Sequence, residues 1–116
     1  MNKRINTGDV FICDFGKTKG SMQGGIRPCI IVDNYMACIY SPCIHCVPLT
    51  TTNRQMKLHY EIKEKNCDCL VNDSVALCEQ YTLIDKLQLL DKVGSVNRGD
   101  LANITELCKQ NLPFTY

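Results

Sequence analysis

The chain has 116 residues, of which 45% are hydrophobic and 22% are charged, and its formal net charge is +1. This composition is typical of a globular protein and excludes a disordered chain or a fibrous repeat. The length predicts one domain over residues 1–116 and excludes a two-domain protein. The small net charge also excludes a basic field over the whole surface, of the kind that attracts nucleic acid.

The N-terminal sequence and the apolar segments predict the cellular compartment. A basic pair, Lys3 and Arg4, is not followed by an apolar segment of the kind found in signal peptides. The longest mostly apolar stretches, 29–32 and 43–49, are far shorter than a membrane span. We therefore expect a cytoplasmic protein without a membrane partner.

Short strands at regular spacing dominate the predicted elements, which favours a small antiparallel barrel. The predicted strands cover residues 9–15, 28–33, 43–49, 57–62, 74–80 and 91–96. Between them lie a glycine-rich loop (16–25), a connection (35–42), a polar turn (50–53) and a segment with short helical periodicity (83–90). Pro48 in the third strand indicates a sheet edge or a bulge.

The end of the chain predicts a helix that packs on the sheet. Apolar residues recur there at helical spacing, namely Leu101, Ile104, Leu107 and Cys108. Asn97 and Asp100 are candidate N-caps, and Pro113 closes the segment. The predicted fold class is therefore mostly β, a small barrel of antiparallel strands with a C-terminal α-helix.

Nine cysteines are the unusual feature of the composition. An odd number without an export signal argues against a disulfide framework. Five of them lie in apolar periodic segments, where cysteine acts as a small hydrophobic residue: Cys13, Cys29, Cys46, Cys78 and Cys108. The alternative is a zinc site formed by Cys43, Cys46, Cys67 and Cys69, but an odd spacing on a strand sends Cys43 and Cys46 to opposite faces. We expect neither a metal nor another cofactor.

The glycine-rich loop is the candidate anion-binding segment. Gly24 and Gly25 allow backbone amides to approach an anion, and Arg27 follows with a planar guanidinium suited to phosphate oxygens. Residues 1–28, which include Lys19, hold five basic and two acidic residues, a balance of +3, whereas the rest of the chain has a balance of −2. This local charge favours a phosphate clamp, although a surface loop with a solvated arginine has the same composition.

Two strand ends supply further candidates. Thr50 ends the third strand, where its hydroxyl can point into a cleft, although a threonine-rich turn is the alternative. Gln80, preceded by Glu79, ends the fifth strand, where an amide can contact a base edge or simply leave the strand. His59 alternates with charged residues and is expected to face solvent, whereas His45 shares a face with apolar residues and is expected to be buried or at an interface. Neither histidine is an obvious catalytic base.

Six short motifs follow one another in the chain: Gly8-Asp9-Val10-Phe11, Gly20-Ser21-x-Gln23-Gly24-Gly25-Ile26-Arg27-Pro28, Val47-Pro48-Leu49-Thr50, Asp73-Ser74-Val75, Glu79-Gln80 and Ile84-Asp85-Lys86. In order and spacing, over about residues 8–96, they resemble the MazF/PemK family of toxin endoribonucleases. The resemblance implies an SH3-like barrel, a symmetric homodimer and metal-independent cleavage of single-stranded RNA that leaves a 2′,3′-cyclic phosphate and a 5′-hydroxyl.

The resemblance also implies site residues and partners. Arg27 and Thr50 match the catalytic positions, and Ser21, Gln23 and Gln80 match positions that line the RNA groove, which a MazE-like antitoxin would occupy. Two other classes of function stay open from the sequence: a non-catalytic toxin of the same fold that binds DNA gyrase, and a cysteine-metal module.

Overall fold

The computed structural model describes residues 4–17, 24–51, 58–63, 65, 67, 70 and 72–110. Seven strands and two α-helices make up the described chain. The strands are β1 (Asp9–Asp14), β2 (Ile26–Ile31), β3 (Cys43–Thr50), β4 (His59–Ile62), β5 (Ser74–Leu77), β6 (Thr82–Asp85) and β7 (Leu89–Ser95), and the helices are α1 (Tyr35–Tyr40) and α2 (Arg98–Lys109). Two 3₁₀ turns, Cys78–Gln80 and Lys86–Gln88, flank β6.

All strand pairs are antiparallel, and β3 is the strand on which the others assemble. The strand order is β4-β5-β3-β2-β1-β7, with β6 also paired to β3. One edge of β3 pairs with β2, and the other pairs with β6 in its first half and with β5 in its last two residues. The predicted mostly β fold with antiparallel strands and a C-terminal helix is confirmed, and among the described strands the path is open, because β4 and β7 do not pair.

Pro48 was expected to mark a sheet edge or a bulge, but β3 is a central strand of the sheet. Its position in the ladder explains why proline fits there. Pairing with β6 ends at Cys46 and pairing with β5 begins at Leu49, so Pro48 lies at the break between the two partner strands. A residue without an N–H is tolerated where the ladder is interrupted.

The central strand β3 is covered on both faces of the sheet, which explains its continuous apolar run. One face carries a first core cluster around Phe11, Ile31 and Ile44, and the other carries a second cluster that packs against α2 through Ile104. The five cysteines predicted as core residues are all buried, so that prediction is confirmed. Cys38 and Cys67 are buried as well.

Two segments differ from their predicted structure. The connection after β2 contains the short helix α1, capped by the Asn34 side chain, whose oxygen accepts a hydrogen bond from the Ala37 amide at 2.8 Å. Lys86 Nζ donates to the Ala37 and Cys38 carbonyls at the end of this helix. The segment 83–90, predicted to be helical, instead supplies β6, one 3₁₀ turn and the start of β7, because pairing with β3 outweighs the local periodicity.

Helix α2 begins where the sequence predicts. Asn97 is the N-cap, and its side-chain oxygen accepts a hydrogen bond from the Asp100 amide at 2.7 Å. Ile104 and Cys108 are buried against the sheet, and Pro113 lies outside the described residues. In the described part of the chain, no helix has the length and apolar character needed to span a membrane.

Candidate active site

Arg27 lies near the start of β2 and is held by its own loop. The strand begins at Ile26, two residues earlier than predicted. The half-buried Arg27 side chain donates from Nε to the Gly24 carbonyl oxygen at 2.9 Å. This bond fixes the guanidinium plane and leaves its two terminal amino groups for a ligand.

The glycines next to Arg27 close the connection between β1 and β2. Gly25 and Gly16 have φ angles of +76° and +69°, a backbone region that favours glycine. The Gly25 amide donates to the Gly16 carbonyl at 2.8 Å, and the Phe15 amide donates to the Gly25 carbonyl at 2.9 Å. The Gly25 amide is therefore used within the protein, and its role in the site is to set the backbone that precedes Arg27.

The strand register brings Arg27 and Thr50 together. Cys29 pairs with Pro48, and continuing the same register by two residues places Arg27 opposite Thr50. Side chains directly opposite each other on antiparallel strands lie on the same face, with Cβ atoms about 4.5–5.5 Å apart. On its other side Thr50 pairs with Val75 of β5. The two predicted catalytic residues thus come from neighbouring strands.

Both residues line a cleft of about 240 Å³ at the ends of these strands. The described residues that line it are Ile26, Arg27, Pro28, Leu49, Thr50, Thr51 and Ser74. By strand alternation, Ile26, Pro28 and Leu49 point to the face opposite to that of Arg27 and Thr50, so the cleft takes its lining from both faces of the sheet end. Sequence reasoning did not single out Ile26, which is 64% exposed, or the buried Ser74 as cleft residues.

The cleft lining gives the site a positive character. Arg27 is its one charged residue among the described lining residues, and no carboxylate is among them. An arginine in a partly apolar cleft attracts an anion, because its charge persists at every physiological pH and is only partly screened by water. Hydroxyl groups from Thr50, Thr51 and Ser74 add neutral hydrogen-bonding groups.

Among the other predicted RNA-binding residues, those that the structure describes do not line this cleft. Lys19, Ser21 and Gln23 lie outside the described residues. Gln80 lies in the 3₁₀ turn after β5, whereas the cleft contains Ser74 from the beginning of that strand. A role for Gln80 in binding RNA stays a prediction.

The histidines are both outside the cleft lining, and one expectation about them is wrong. His59 does not face solvent: its side chain is 5% exposed, and Nε2 lies 2.5 Å from Glu79 Oε2. Glu79, from the 3₁₀ turn after β5, covers this side chain. His45 is half-buried, with Nδ1 2.8 Å from Asp33 Oδ2 and its ring stacked on Tyr81 at 4.8 Å.

Asp33 has an altered pKa because of His45. Burial by itself raises the pKa of Asp33, but hydrogen bonds from the His45 amide and imidazole, together with one from the Asn34 amide, lower it below its usual value. The negative charge of Asp33 is therefore stabilised in the folded protein.

The four cysteines of the alternative zinc site are not brought together as a set. Cys46 belongs to the first core cluster and Cys67 to the second, and Cys69 lies outside the described residues. Within the described ranges, no group of three or more histidine, cysteine, aspartate or glutamate side chains has a geometry that could hold a metal ion.

Comparison with known proteins agrees with this fold. The sequence model of one protein family, the PemK-like, MazF-like toxins of type II toxin–antitoxin systems, matches residues 6–112 of this chain. Endoribonuclease MazF of Staphylococcus epidermidis is 33% identical over 102 residues, which are 86% of this chain and 84% of that protein.

Solved structures show the same fold. MazF of Deinococcus radiodurans has a TM-score of 0.84 at 14% identity, covering 97% of this chain and 100% of that one. A mycobacterial endoribonuclease in complex with its cognate antitoxin has a TM-score of 0.77 at 22% identity, covering 95% and 96%. The extent of the family match and the identity to the staphylococcal protein show that this chain belongs to the PemK-like, MazF-like toxin family of type II toxin–antitoxin systems.

Proposed function

We propose that this protein is a sequence-specific, metal-independent endoribonuclease that cleaves single-stranded RNA. The observation that carries the proposal is the cleft that Arg27 and Thr50 both line, whose described lining contains no carboxylate. A phosphodiester is the anion that such a cleft suits, since the guanidinium matches its oxygens. The name of the staphylococcal relative, endoribonuclease, supports the same activity.

The proposed reaction uses the substrate as its own nucleophile. The ribose 2′-hydroxyl attacks the adjacent phosphorus, the bond to the 5′-oxygen breaks, and a 2′,3′-cyclic phosphate and a 5′-hydroxyl result. Because the nucleophile is part of the RNA, no metal-bound water is required, and catalysis depends on positioning and charge stabilisation. The departing 5′-oxygen must gain a proton, and the 2′-hydroxyl must lose one.

Arg27 and Thr50 take different parts in this reaction. Negative charge grows on the non-bridging oxygens as the 2′-oxygen attacks, and the terminal amino groups of Arg27 can bind them. Thr50 donates one further hydrogen bond from the facing strand. A guanidinium has no acceptor atom and is a poor base, so we assign Arg27 electrostatic stabilisation first.

The proposal includes two protein partners. A second copy of the chain would complete the RNA groove in a homodimer, with Ser21, Gln23 and Gln80 contacting the bases. A MazE-like antitoxin would occupy the same groove. Structures of MazE–MazF from Deinococcus radiodurans and of a mycobacterial endoribonuclease with its cognate antitoxin support an antitoxin partner.

Cleavage of a long RNA of mixed sequence by the purified protein in EDTA tests the activity. We expect cuts at a short recurring sequence, with cyclic phosphate and 5′-hydroxyl ends. Arg27→Ala should lower the rate about 10²–10³-fold, as for the loss of one preorganised donor to a transition-state oxyanion, and Thr50→Ala should also lower it. Arg98→Ala, at an exposed position of α2, is the matched control.

Two outcomes would contradict the proposed function. One is the absence of cutting in EDTA, and the other is undiminished cutting by both cleft variants. Inhibition of DNA gyrase supercoiling without RNA cleavage would support the non-catalytic toxin instead.

A further inference from the structure

Two cysteine side chains meet at the junction of the 3₁₀ turn Cys78–Gln80 and helix α2. Cys78 is fully buried and Cys108 is 7% exposed, and both belong to the second core cluster. Each thiol acts on the ionisation of the other, and the Cys78 thiol also donates to the Ala76 carbonyl oxygen at 3.7 Å. The pair joins segments about thirty residues apart in the chain, and it lies outside the cleft of Arg27 and Thr50.

A second cavity gives access to one member of the pair. It has a volume of about 180 Å³ and is lined by Val32, Tyr81, Thr105, Cys108 and Lys109. A water molecule occupies about 30 Å³ in the liquid, so a small hydroperoxide fits in this space. Cys108 is a lining residue of the cavity, whereas Cys78 lies behind it in the core.

The interaction between the thiols divides their roles. It lowers the pKa of Cys108, and this outweighs the opposing effect of burial. It raises the pKa of Cys78, and burial and the charge of Glu79 act in the same direction. Cys108 is therefore the thiol that ionises first, while Cys78 stays protonated. Because Cys108 lies at the C-terminal end of α2, the helix dipole does not favour the thiolate, and the reaction should be slow.

We propose that Cys108 and Cys78 form a modification site at which a hydroperoxide produces an intramolecular disulfide. The Cys108 thiolate attacks hydrogen peroxide, the O–O bond breaks, and Cys108 becomes a sulfenic acid as hydroxide leaves. The Cys78 sulfur then attacks the Cys108 sulfur, the S–S bond forms, and a second hydroxide leaves. The two thiol protons convert the hydroxides to two waters, and the sulfurs have given two electrons to the peroxide.

Another group of thiols in the same protein provides the contrast. Cys13, Cys29 and Cys46 lie on three neighbouring strands, are fully buried, and interact through the central thiol of Cys29. The pKa of Cys29 is strongly raised, and none of the three lines either described cavity. Proximity alone thus does not make a reactive pair, and we expect these thiols to stay reduced under conditions that oxidise Cys108.

Peptide mapping of the full chain after treatment with hydrogen peroxide tests the proposal. Remaining thiols are alkylated in denaturant before digestion. We expect a peptide pair linked through Cys78 and Cys108, while Cys13, Cys29 and Cys46 are recovered as alkylated thiols. In Cys78→Ser the reaction should stop at a Cys108 sulfenic acid that dimedone traps, and Cys29→Ser is the control that should still form the linked peptides.

The mapping of the unaltered protein decides the proposal even if a variant fails to fold. Recovery of Cys78 and Cys108 as alkylated thiols would overturn it, as would a disulfide from Cys108 to any other cysteine. Oxidation of Cys29 at the same rate as Cys108 would also overturn it, since the cavity would then have no part in selectivity.

Discussion

Replacing Arg27 with lysine tests whether the geometry of the guanidinium, and not its charge alone, supports cleavage. In the structure Nε donates to the Gly24 carbonyl at 2.9 Å, which orients the side chain from within its own loop. Lysine keeps the positive charge but has a single ammonium on a flexible stem. It cannot hold the Gly24 carbonyl and also offer two parallel donors to a phosphate.

The expected loss follows from the bonds that disappear. A hydrogen bond to a charged group contributes about 1.5–3 kcal/mol, and about 1.4 kcal/mol corresponds to a factor of ten in rate. Arg27→Lys should therefore lower kcat by about 10–100-fold. Arg27→Ala should cost more, about 10²–10³-fold, because the charge is lost together with the donors. Arg98→Lys should change kcat by less than about twofold, because Arg98 is exposed and is not among the described residues that line the cleft.

The assay is steady-state cleavage of a short RNA that contains a mapped cut site. Since the lost bonds act mainly on the transition state, kcat should fall more than KM rises. If Arg27→Lys cleaves at the rate of the unaltered protein, a positive charge is sufficient and the hydrogen bond to Gly24 has no catalytic value. A rise in KM alone would show that Arg27 serves substrate binding only.

Three further predictions concern stability. Tyr60→Phe removes the hydroxyl that donates a hydrogen bond to the buried Asp100 carboxylate at 2.5 Å. This change should lower the free energy of unfolding, measured in urea, by about 1.5–3 kcal/mol. A loss below about 0.5 kcal/mol would contradict the prediction. Asp33→Asn should lower it by about 1.5 kcal/mol at pH 7. The pKa of Asp33 is lowered on folding, so its contribution to stability is present above about pH 4 and is lost as the pH falls through the folded-state pKa. The free energies of unfolding of Asp33→Asn and of the unaltered protein should therefore converge in acid. Curves of unfolding free energy against pH that stay parallel would refute this. Gly25→Ala places a side chain at a φ of +76° and should destabilise the folded protein by about 1–2 kcal/mol. The control Gly99→Ala, within helix α2, should leave the stability unchanged or raise it. Thermal unfolding of the two variants measures both effects.

The sequence predicted those elements whose pattern is decided locally. Alternation predicted β1 and apolar character predicted β3, and both strands lie within a residue or two of the predicted bounds. The Asn97 cap predicted the start of α2. The family resemblance implied Arg27 and Thr50 as site residues, but how the two lie relative to each other depends on the register of β2 against β3. Register is a property of two strands together, so the spacing of residues within either strand could not have given it.

The remaining elements depend on contacts that are distant in the chain. Segment 83–90 has helical periodicity, but its first half pairs with β3, so tertiary pairing overrides the local pattern. His59 alternates with charged neighbours and looks solvent-facing, yet it is buried because Glu79 approaches from the turn after β5. The hydrogen bond from Lys86 to the end of α1 joins residues nearly fifty positions apart, and no local signal predicts it.

The hydrogen bonds between Gly16, Gly25 and Phe15 have a consequence for how related toxins can diverge. They fasten the two ends of the β1–β2 connection to each other at its base, next to the strand that carries Arg27. Insertions, deletions or substitutions between these fastening points need not alter the register of Arg27 against Thr50. The connection can therefore change in length or sequence between relatives while the strand that carries Arg27 keeps its place beside β1 and β3.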